Sequence, residues 1–181
     1  MKILVISDIH GSSYYMNKMK ERIDIEKPDK IILLGDLYYH GPRNPLTEEY
    51  SPAEVAKTLN SLKNIIIAVR GNCDAEVDQM ISEFKIEDIY RLGISNKKFI
   101  FTHGHKINID NPPDEDFDVL VYGHFHTGFI KEKSGKIFVN SGSISLPKED
   151  TKNSYLLIDD NNIYLKEIND GIIIDSISFT N

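Results

Sequence analysis

The segment Lys2–His10, KILVISDIH, places a run of apolar residues directly before Asp8 and His10. The β-branched, apolar character of Lys2–Ile6 predicts a short buried strand. The same arrangement, an apolar strand followed at once by polar side chains, recurs four more times along the chain. These five strand ends determine both the fold and the place where a functional site is expected.

The first half of the chain alternates predicted strands and helices. Further strands are predicted at Ile31–Leu34 and Ile65–Val69, and helices at Tyr14–Glu26 and from Ser51 to about Leu62. Between the second strand and the second helix, Tyr38–Tyr50 contains a glycine and two prolines, which predicts a long loop of the kind that often carries function. This order of elements indicates a parallel sheet covered by helices.

The second half consists of short strands separated by turn residues, which indicates mostly antiparallel pairing. The predicted strands are Ile89–Leu92, Phe99–Thr102, Val119–Tyr122, Phe129–Lys133, Ile137–Asn140, Tyr155–Asp159, Ile163–Ile168 and Ile172–Ile177. No linker, repeat or low-complexity segment divides the chain. We therefore expect a single domain over residues 1–181, in which two sheets pack face to face with helices outside.

The composition excludes several classes of protein. With 40% hydrophobic and 27% charged residues, the chain is neither disordered, collagen-like nor a membrane protein. A formal charge of −7 without a Lys/Arg block argues against a nucleic-acid polymer as partner. The single cysteine, Cys73, excludes an intrachain disulfide, and Met1–His10 contains no secretory apolar segment, so a cytoplasmic location is expected.

Residue types that bind metals follow all five strands. The clusters are Asp8-Ile9-His10, Gly35-Asp36, Gly71-Asn72-Cys73-Asp74, His103-Gly104-His105 and Gly123-His124-Phe125-His126. Because the carboxyl ends of parallel strands converge on one sheet edge, these side chains should lie close together. Residues i and i+2 of an extended stretch point the same way, so Asp8 with His10, and His124 with His126, are expected to face that edge. The glycines at three of these strand ends, Gly35, Gly71 and Gly123, would let the backbone approach the site.

Four imidazoles, two carboxylates and one amide oxygen make a ligand set that suits Mn, Fe, Co, Ni or Zn better than Mg or Ca. Seven ligands exceed the needs of one ion, whereas two ions that share a bridging carboxylate would use them all. Two such ions, roughly 3.5–4 Å apart, clamp the attacking and leaving oxygens of a phosphoryl displacement and lower the pKa of a shared water. The pattern therefore predicts hydrolysis of a phosphate ester by a metal-activated hydroxide.

The ordered series Asp-x-His, Gly-Asp, Gly-Asn, His-Gly and Gly-His-x-His resembles the calcineurin-like metallophosphoesterase superfamily. The small bacterial phosphodiesterase branch is resembled more closely, over Gly35–Asn44, Ala68–Asp74, Thr102–His105, Leu120–His124 and Asn140–Pro147. The resemblance covers almost the whole chain. It implies an α/β fold, a four-layer αββα sandwich of two mixed β-sheets flanked by helices, and a hydrolase of small phosphodiesters that prefers two Mn²⁺ ions. Such proteins often form homo-oligomers.

The resemblance also implies a role for each candidate residue. One ion would be held by Asp8, His10 and His126, the other by Asn72, His103 and His124, and Asp36 would bridge the two. The amide nitrogen of Asn72 would also contact the phosphate. Further candidates for binding the phosphate, the leaving group or another part of the substrate are His40, Arg43, Arg70 and His105.

Cys73 departs from the pattern of the wider superfamily, in which a histidine follows the asparagine and protonates the leaving group. Many members of the small branch share the cysteine. A thiol is a weaker hydrogen-bond donor than an imidazolium, so Cys73 would be a poorer catalytic acid. We therefore expect diesters and esters with good leaving groups to be preferred over alkyl monoesters.

Three alternatives remain open from the sequence. The same site would suit a monoester phosphatase or nucleotide hydrolase. The fold also serves as a non-catalytic scaffold, as in the retromer subunit that resembles this family, although a scaffold should have lost ligands and here all seven are present. Finally, the loop tyrosines Tyr38, Tyr39 and Tyr50 either stack on a substrate base or cover the core.

Overall fold

The computed structural model describes residues 1–180, within which the chain forms three α-helices and twelve β-strands. In chain order, the elements are β1 (Ile3–Ile6), α1 (Ser13–Glu26), β2 (Lys30–Leu33), α2 (Pro52–Ser61), β3 (Ile66–Val69), α3 (Glu76–Ile81), β4 (Ile86–Glu87), β5 (Tyr90–Ile94), β6 (Lys97–Phe101), β7 (Val119–Tyr122), β8 (Gly128–Lys133), β9 (Lys136–Ser141), β10 (Ser154–Ile158), β11 (Asn162–Glu167) and β12 (Ile173–Ser178). None of the helices in this part of the chain is long and apolar enough to cross a membrane.

The strands form two mixed sheets, which confirms the prediction. The seven-stranded sheet has the order β12-β11-β10-β1-β2-β3-β4, with β1 to β4 parallel and the other three strands antiparallel. The five-stranded sheet has the order β5-β6-β7-β9-β8, in which β6, β7 and β9 are parallel. The carboxyl ends of β1, β2 and β3, and those of β6 and β7, are the strand ends that carry the polar clusters.

The alternation of side chains along β1 divides the core into two layers. Ile3 and Val5 pack against residues of the five-stranded sheet, such as Phe101. Leu4 and Ile6 belong to the other layer, where Met16 of α1 and other buried residues of α1 and α2 cover the seven-stranded sheet. Both faces of β1 are therefore buried, which explains its uninterrupted apolar run.

The outer face of the five-stranded sheet is covered by a loop. Leu120 and Tyr122 on this face pack against partly buried Ile107 and Ile109 from the segment 103–118, which forms neither helix nor strand. This segment contains two consecutive prolines and a cluster of Asp and Asn residues, which disfavour a helix. The predicted sandwich of two sheets is thus present. Within residues 1–180, each α-helix follows a strand of the seven-stranded sheet, and none follows a strand of the five-stranded sheet.

Two short elements between residues 74 and 88 were not predicted from the sequence. Helix α3 has six residues and strand β4 has two, so neither is long enough to establish a periodic pattern. Asp78 stabilises the start of α3, because its carboxylate accepts the backbone N–H of Ala75 at 2.8 Å. Strand β4 is the edge strand of the seven-stranded sheet, next to β3.

Candidate metal centre

The loops after five parallel strands meet at one edge, where the two sheets face each other. They bring together the seven predicted ligands, namely Asp8 and His10 after β1, Asp36 after β2, Asn72 after β3, His103 after β6, and His124 and His126 after β7. Two triplets share Asp8, namely Asp8 with His10 and His126, and Asp8 with Asp36 and His103. Within each triplet, the ligand atoms lie within 4.8 Å of one another. Each sheet contributes about half of the set.

The seven side chains form two groups with Asp36 between them. In the first group, Nε2 of His126 lies 3.2 Å from both Nε2 of His10 and Oδ1 of Asp8. In the second group, Nε2 of His103 lies 3.0 Å from Oδ1 of Asn72 and 3.2 Å from Nδ1 of His124. The two carboxylate oxygens of Asp36 are 3.7 Å and 3.5 Å from the Nε2 atoms of His10 and His103, as expected for a bridging ligand.

Backbone carbonyls fix the tautomer of three histidines. Nδ1 of His10, His103 and His126 lies 2.7–2.8 Å from the carbonyl oxygens of Tyr39, Leu34 and Leu146. A carbonyl oxygen can only accept, so each Nδ1 must carry a proton, and each neutral ring then presents a lone pair at Nε2. Such contacts orient histidine ligands in metal sites.

The Nε2 lone pairs of His10 and His126 therefore point at each other inside the site. The Nε2 atoms of His10 and His126 cannot both accept, and the buried Oδ1 of Asp8 has no hydrogen-bond partner within residues 1–180. An unpaired buried carboxylate oxygen is costly. Two divalent cations would satisfy these atoms, and the mixture of nitrogen and oxygen donors fits the borderline ions predicted from the sequence.

In the metal-free chain, protons offset the carboxylate charges. Burial disfavours charge on both Asp8 and His103, but ionic contacts outweigh it. The histidines beside Asp8 hold the pKa of its carboxyl well below the usual range, and Asp36 raises the pKa of His103 to about 9. By contrast, burial and the charge on His103 lower the pKa of His124 to about 4. Metal binding would displace the protons held here.

Five of the seven candidate ligands have left-handed backbone conformations. The φ angles of Asp8, His10, Asp36, His124 and His126 lie between 49° and 66°. The expectation that Asp8–His10 and His124–His126 are extended is therefore wrong, although all four side chains reach the site. Left-handed residues other than glycine cost roughly 1–3 kcal/mol each and persist only where surrounding structure holds them.

Glycines allow the ligand loops to touch. A Cβ on Gly71 would lie 2.1 Å from Oδ1 of Asp36, and a Cβ on Gly123 would lie 1.9 Å from Oγ of Ser7. Any larger residue at either position would displace a candidate ligand or its neighbour. The close approach predicted at these glycines is confirmed.

Asp74 holds the bridging ligand in place. Its carboxylate is buried and accepts the backbone N–H groups of Asp36, Leu37 and Gly71 at 2.7–2.8 Å. It thus ties the loop after β2 to the loop after β3. On the other side, the hydroxyls of Ser143 and Ser145 donate to the carbonyl of Asp8.

We expect Asp74→Asn to weaken metal binding about tenfold to a hundredfold. The NH2 group of the new amide would face a backbone N–H, and two donors cannot form a hydrogen bond. Titration of metal-free protein with Mn²⁺ in a calorimeter measures this change. Asp159→Asn is the matched control, since Asp159 also accepts two backbone N–H groups, those of Asn161 and Asn162, but in the turn between β10 and β11. Equal Mn²⁺ affinities for the Asp74 and Asp159 variants would contradict this role.

A cleft of about 740 Å³ opens above the site. Asp36, Asn72, His124 and His126 reach it from below, and its walls include Arg43 and Cys73, as well as Lys148. Burial and the nearby carboxylate of Asp36 raise the pKa of Cys73 to about 12, so the metal-free chain carries a protonated thiol there. Arg43 and Cys73 thus line the cleft above the candidate ligands.

The other candidate substrate contacts lie outside this cleft. The ring of His40 is held between those of Tyr39 and Tyr50, with centroid distances of 4.7 Å and 5.3 Å. Arg70 and His105 line a separate cavity of about 220 Å³, although the His105 ring is only 5.4 Å from that of His103. A role for Arg70 or His105 therefore requires a substrate that extends beyond the main cleft.

The sequence did not identify Asp74, Lys148 or Phe125 as site residues. Asp74 stands in one of the predicted polar clusters, but its action on the backbone N–H groups of another loop has no sequence signal. Lys148 comes from a distant loop and has no local signal. Phe125 did have a local signal in the sequence, because it separates two candidate ligands in the Gly-His-x-His motif. An apolar side chain in that position reaches the same cleft as its neighbours.

Comparisons with known proteins agree with this geometry. Residues 1–162 match the family model of the calcineurin-like phosphoesterase superfamily domain. Phosphodiesterase YfcE of Escherichia coli strain K12 is 41% identical over 181 residues, which cover 98% of each chain. Phosphodiesterase MJ0936 of Methanocaldococcus jannaschii is 27% identical over 151 residues, 78% of this chain and 83% of that protein.

Solved structures show the same fold. The E. coli phosphoesterase YfcE has a TM-score of 0.96 at 36% identity, covering 99% of this chain and 100% of that one. Vps29 of Entamoeba histolytica, complexed with Zn²⁺, has a TM-score of 0.62 at 22% identity, with 99% and 100% coverage. This chain therefore belongs to the calcineurin-like phosphoesterase superfamily.

Proposed function

We propose that the protein is a phosphodiesterase that hydrolyses small phosphodiesters with two divalent ions, most simply Mn²⁺. One ion would be held by Asp8, His10 and His126, and the other would be held by Asn72, His103 and His124. Asp36 would bind both ions. When bound, the ions supply an activated water and offset negative charge on the phosphate oxygens. Fe, Co, Ni or Zn would suit the same donors.

One observation carries this proposal. The Nε2 lone pairs of His10 and His126 and the unpaired Oδ1 of Asp8 converge in a buried space that only cations or protons can satisfy. A purely structural cluster would pair a donor with each acceptor. The strain in five candidate ligands also favours a functional role, since such strain concentrates at active sites.

Residues of the chain itself would position the substrate. Within residues 1–180, Nδ2 of Asn72 donates only to Sγ of Cys73, at 3.3 Å, so it can turn to a phosphate oxygen while Oδ1 faces His103. Arg43 and Lys148 add positive charge to the walls of the cleft. Sγ of Cys73 lies within 4.8 Å of ligand atoms of His10 and Asp36, which is close enough to reach a leaving group.

A thiol at this position favours diesters over alkyl monoesters. We expect Cys73→His to raise kcat for esters with poor leaving groups about tenfold or more, because an imidazolium can protonate them. Rates across a series of aryl and alkyl leaving groups measure the effect. Cys73→Ser is the control for loss of the thiol alone, and unchanged relative rates in the histidine variant would refute the acid role.

The proposal is tested by metal analysis together with a substrate panel. Purified protein is supplied with Mn, Fe, Co, Ni or Zn in turn and assayed with bis-p-nitrophenyl phosphate, p-nitrophenyl phosphate and cyclic nucleotides. We expect two ions per chain and a higher kcat/KM for the diester than for the monoester. Preference for the monoester would favour a phosphatase, whereas trace metal and no diester hydrolysis would favour a non-catalytic scaffold.

A further inference from the structure

Two aromatic side chains are exposed within the cleft above the metal centre. Phe125 is 41% exposed and Tyr39 is 42% exposed, and both line the cleft that reaches Asp36 and Asn72. Phe125 comes from the loop after β7 and Tyr39 from the loop after β2, so each sheet contributes one ring. The exposed apolar surface is thus adjacent to the place where a phosphate would bind.

The position of Phe125 is fixed by its neighbours. It lies between the left-handed residues His124 and His126, and its own N–H donates to the carbonyl of Gly123 at 2.7 Å. Its ring meets those of His124 and Tyr122 at 77°, with centroid distances of 5.2 Å and 6.1 Å. The exposed part of the ring is therefore presented on a rigid support.

Tyr39 is supported in a similar way. Its carbonyl accepts the Nδ1–H of His10, and its ring packs at 66° against that of His40. Tyr38, by contrast, is buried and its hydroxyl bonds to Ser82. Of the loop tyrosines considered from the sequence, Tyr38 covers the core, whereas Tyr39 offers a surface to a ligand.

The cleft is larger than a phosphate group requires. Its volume of about 740 Å³ is in the range that holds a ligand of drug or nucleotide size. Arg43 and Lys148 provide cationic groups for an anion, while Phe125 and Tyr39 provide flat apolar surface. Aromatic rings of a ligand stack favourably on such side chains.

We propose that Phe125 and Tyr39 form an aromatic clamp that selects phosphodiesters in which the group retained on the phosphate after hydrolysis carries a planar ring. This inference rests on the proposed function and narrows it to a substrate class. The ring can be a nucleobase or a simple aryl group, since both present the same flat surface. Phe125 is the principal specificity-determining residue, because it adjoins two candidate ligands.

Three esters with the same p-nitrophenol leaving group test the clamp, namely the methyl, phenyl and thymidine 5′ derivatives of p-nitrophenyl phosphate. With Mn²⁺, we expect KM to be about tenfold lower for the phenyl and thymidine esters, whose retained group carries a ring, than for the methyl ester, with similar kcat values. Phe125→Leu should bring the three KM values together, whereas Phe125→Tyr should restore the difference. Tyr164→Leu, which removes an aromatic ring from β11, is the matched control.

The arms of the experiment separate the possible outcomes. A lower KM for the thymidine ester alone supports the clamp and identifies its ligand as a nucleobase. A lower KM for the phenyl ester alone supports the clamp and identifies its ligand as an aryl group. Equal KM values for all three esters, or a difference that survives Phe125→Leu, would overturn it. If none of the esters is hydrolysed, the phosphodiesterase proposal fails, and calorimetry with thymidine 5′-phosphate and methyl phosphate still decides whether Phe125 binds a ring.

Discussion

Replacing Asp36 with asparagine should lower kcat/KM for a chromogenic diester by at least about a thousandfold. The carboxylate of Asp36 lies between the two groups, 3.7 Å from Nε2 of His10 and 3.5 Å from Nε2 of His103. An amide of the same size keeps the packing but removes the charge that two cations would share. Bound metal, measured by mass spectrometry, should fall from two ions per chain to one or none.

Asp175→Asn is the matched control for this change, because Asp175 is exposed on β12, the edge strand three places away from β1. It should keep both metal content and activity. If Asp36→Asn retained two ions per chain and most of its diester hydrolysis, Asp36 would not be the bridging ligand, and the two-ion arrangement would have to be abandoned.

Removing the metal should lower the thermal midpoint by about 5–10 °C. At a free Mn²⁺ concentration of about 100 times Kd, binding to the folded state contributes about 2.7 kcal/mol to the free energy of unfolding. Each kcal/mol shifts Tm by about 2–4 °C in a chain of this size. Calorimetric scans of chelator-treated protein, before and after Mn²⁺ is restored, measure the difference.

The Asp36→Asn variant provides the comparison for the thermal experiment. Its Tm should respond much less to Mn²⁺ than that of the unchanged chain, and Mg²⁺ should have little effect on either because the nitrogen donors suit it poorly. Identical midpoints for the unchanged chain with and without Mn²⁺ would mean that the ligand cluster does not bind this ion in the folded state.

Local signals in the sequence predicted the elements that position the site. Apolar runs such as Ile31–Leu34 predicted the parallel strands, and the polar residues that follow them predicted where the ligands gather. Glycines such as Gly71 predicted the close approach of the loops, because only a residue without a Cβ fits beside Asp36. These predictions needed only the residue types and their order along the chain.

Other features depend on contacts between distant segments and could not be predicted. The left-handed backbone at His10 or His126 has no sequence signal, since it is imposed by hydrogen bonds from other loops. Lys148 reaches the cleft because its N–H donates to the carbonyl of His126. The covering of the five-stranded sheet by residues 103–118 likewise depends on Ile107 and Ile109 finding that face.

The division of the ligands between two sheets has a consequence for residues that carry no chemistry. Side chains such as Val5, Val69, Phe101 and Val121 fill the apolar layer between the sheets. Their combined bulk fixes how far Asp8 stands from the histidines on the opposite sheet. A methyl group gained or lost in that layer would change the fit of the cations without touching them. The thickness of the hydrophobic interior is therefore expected to set the spacing of the candidate ligands.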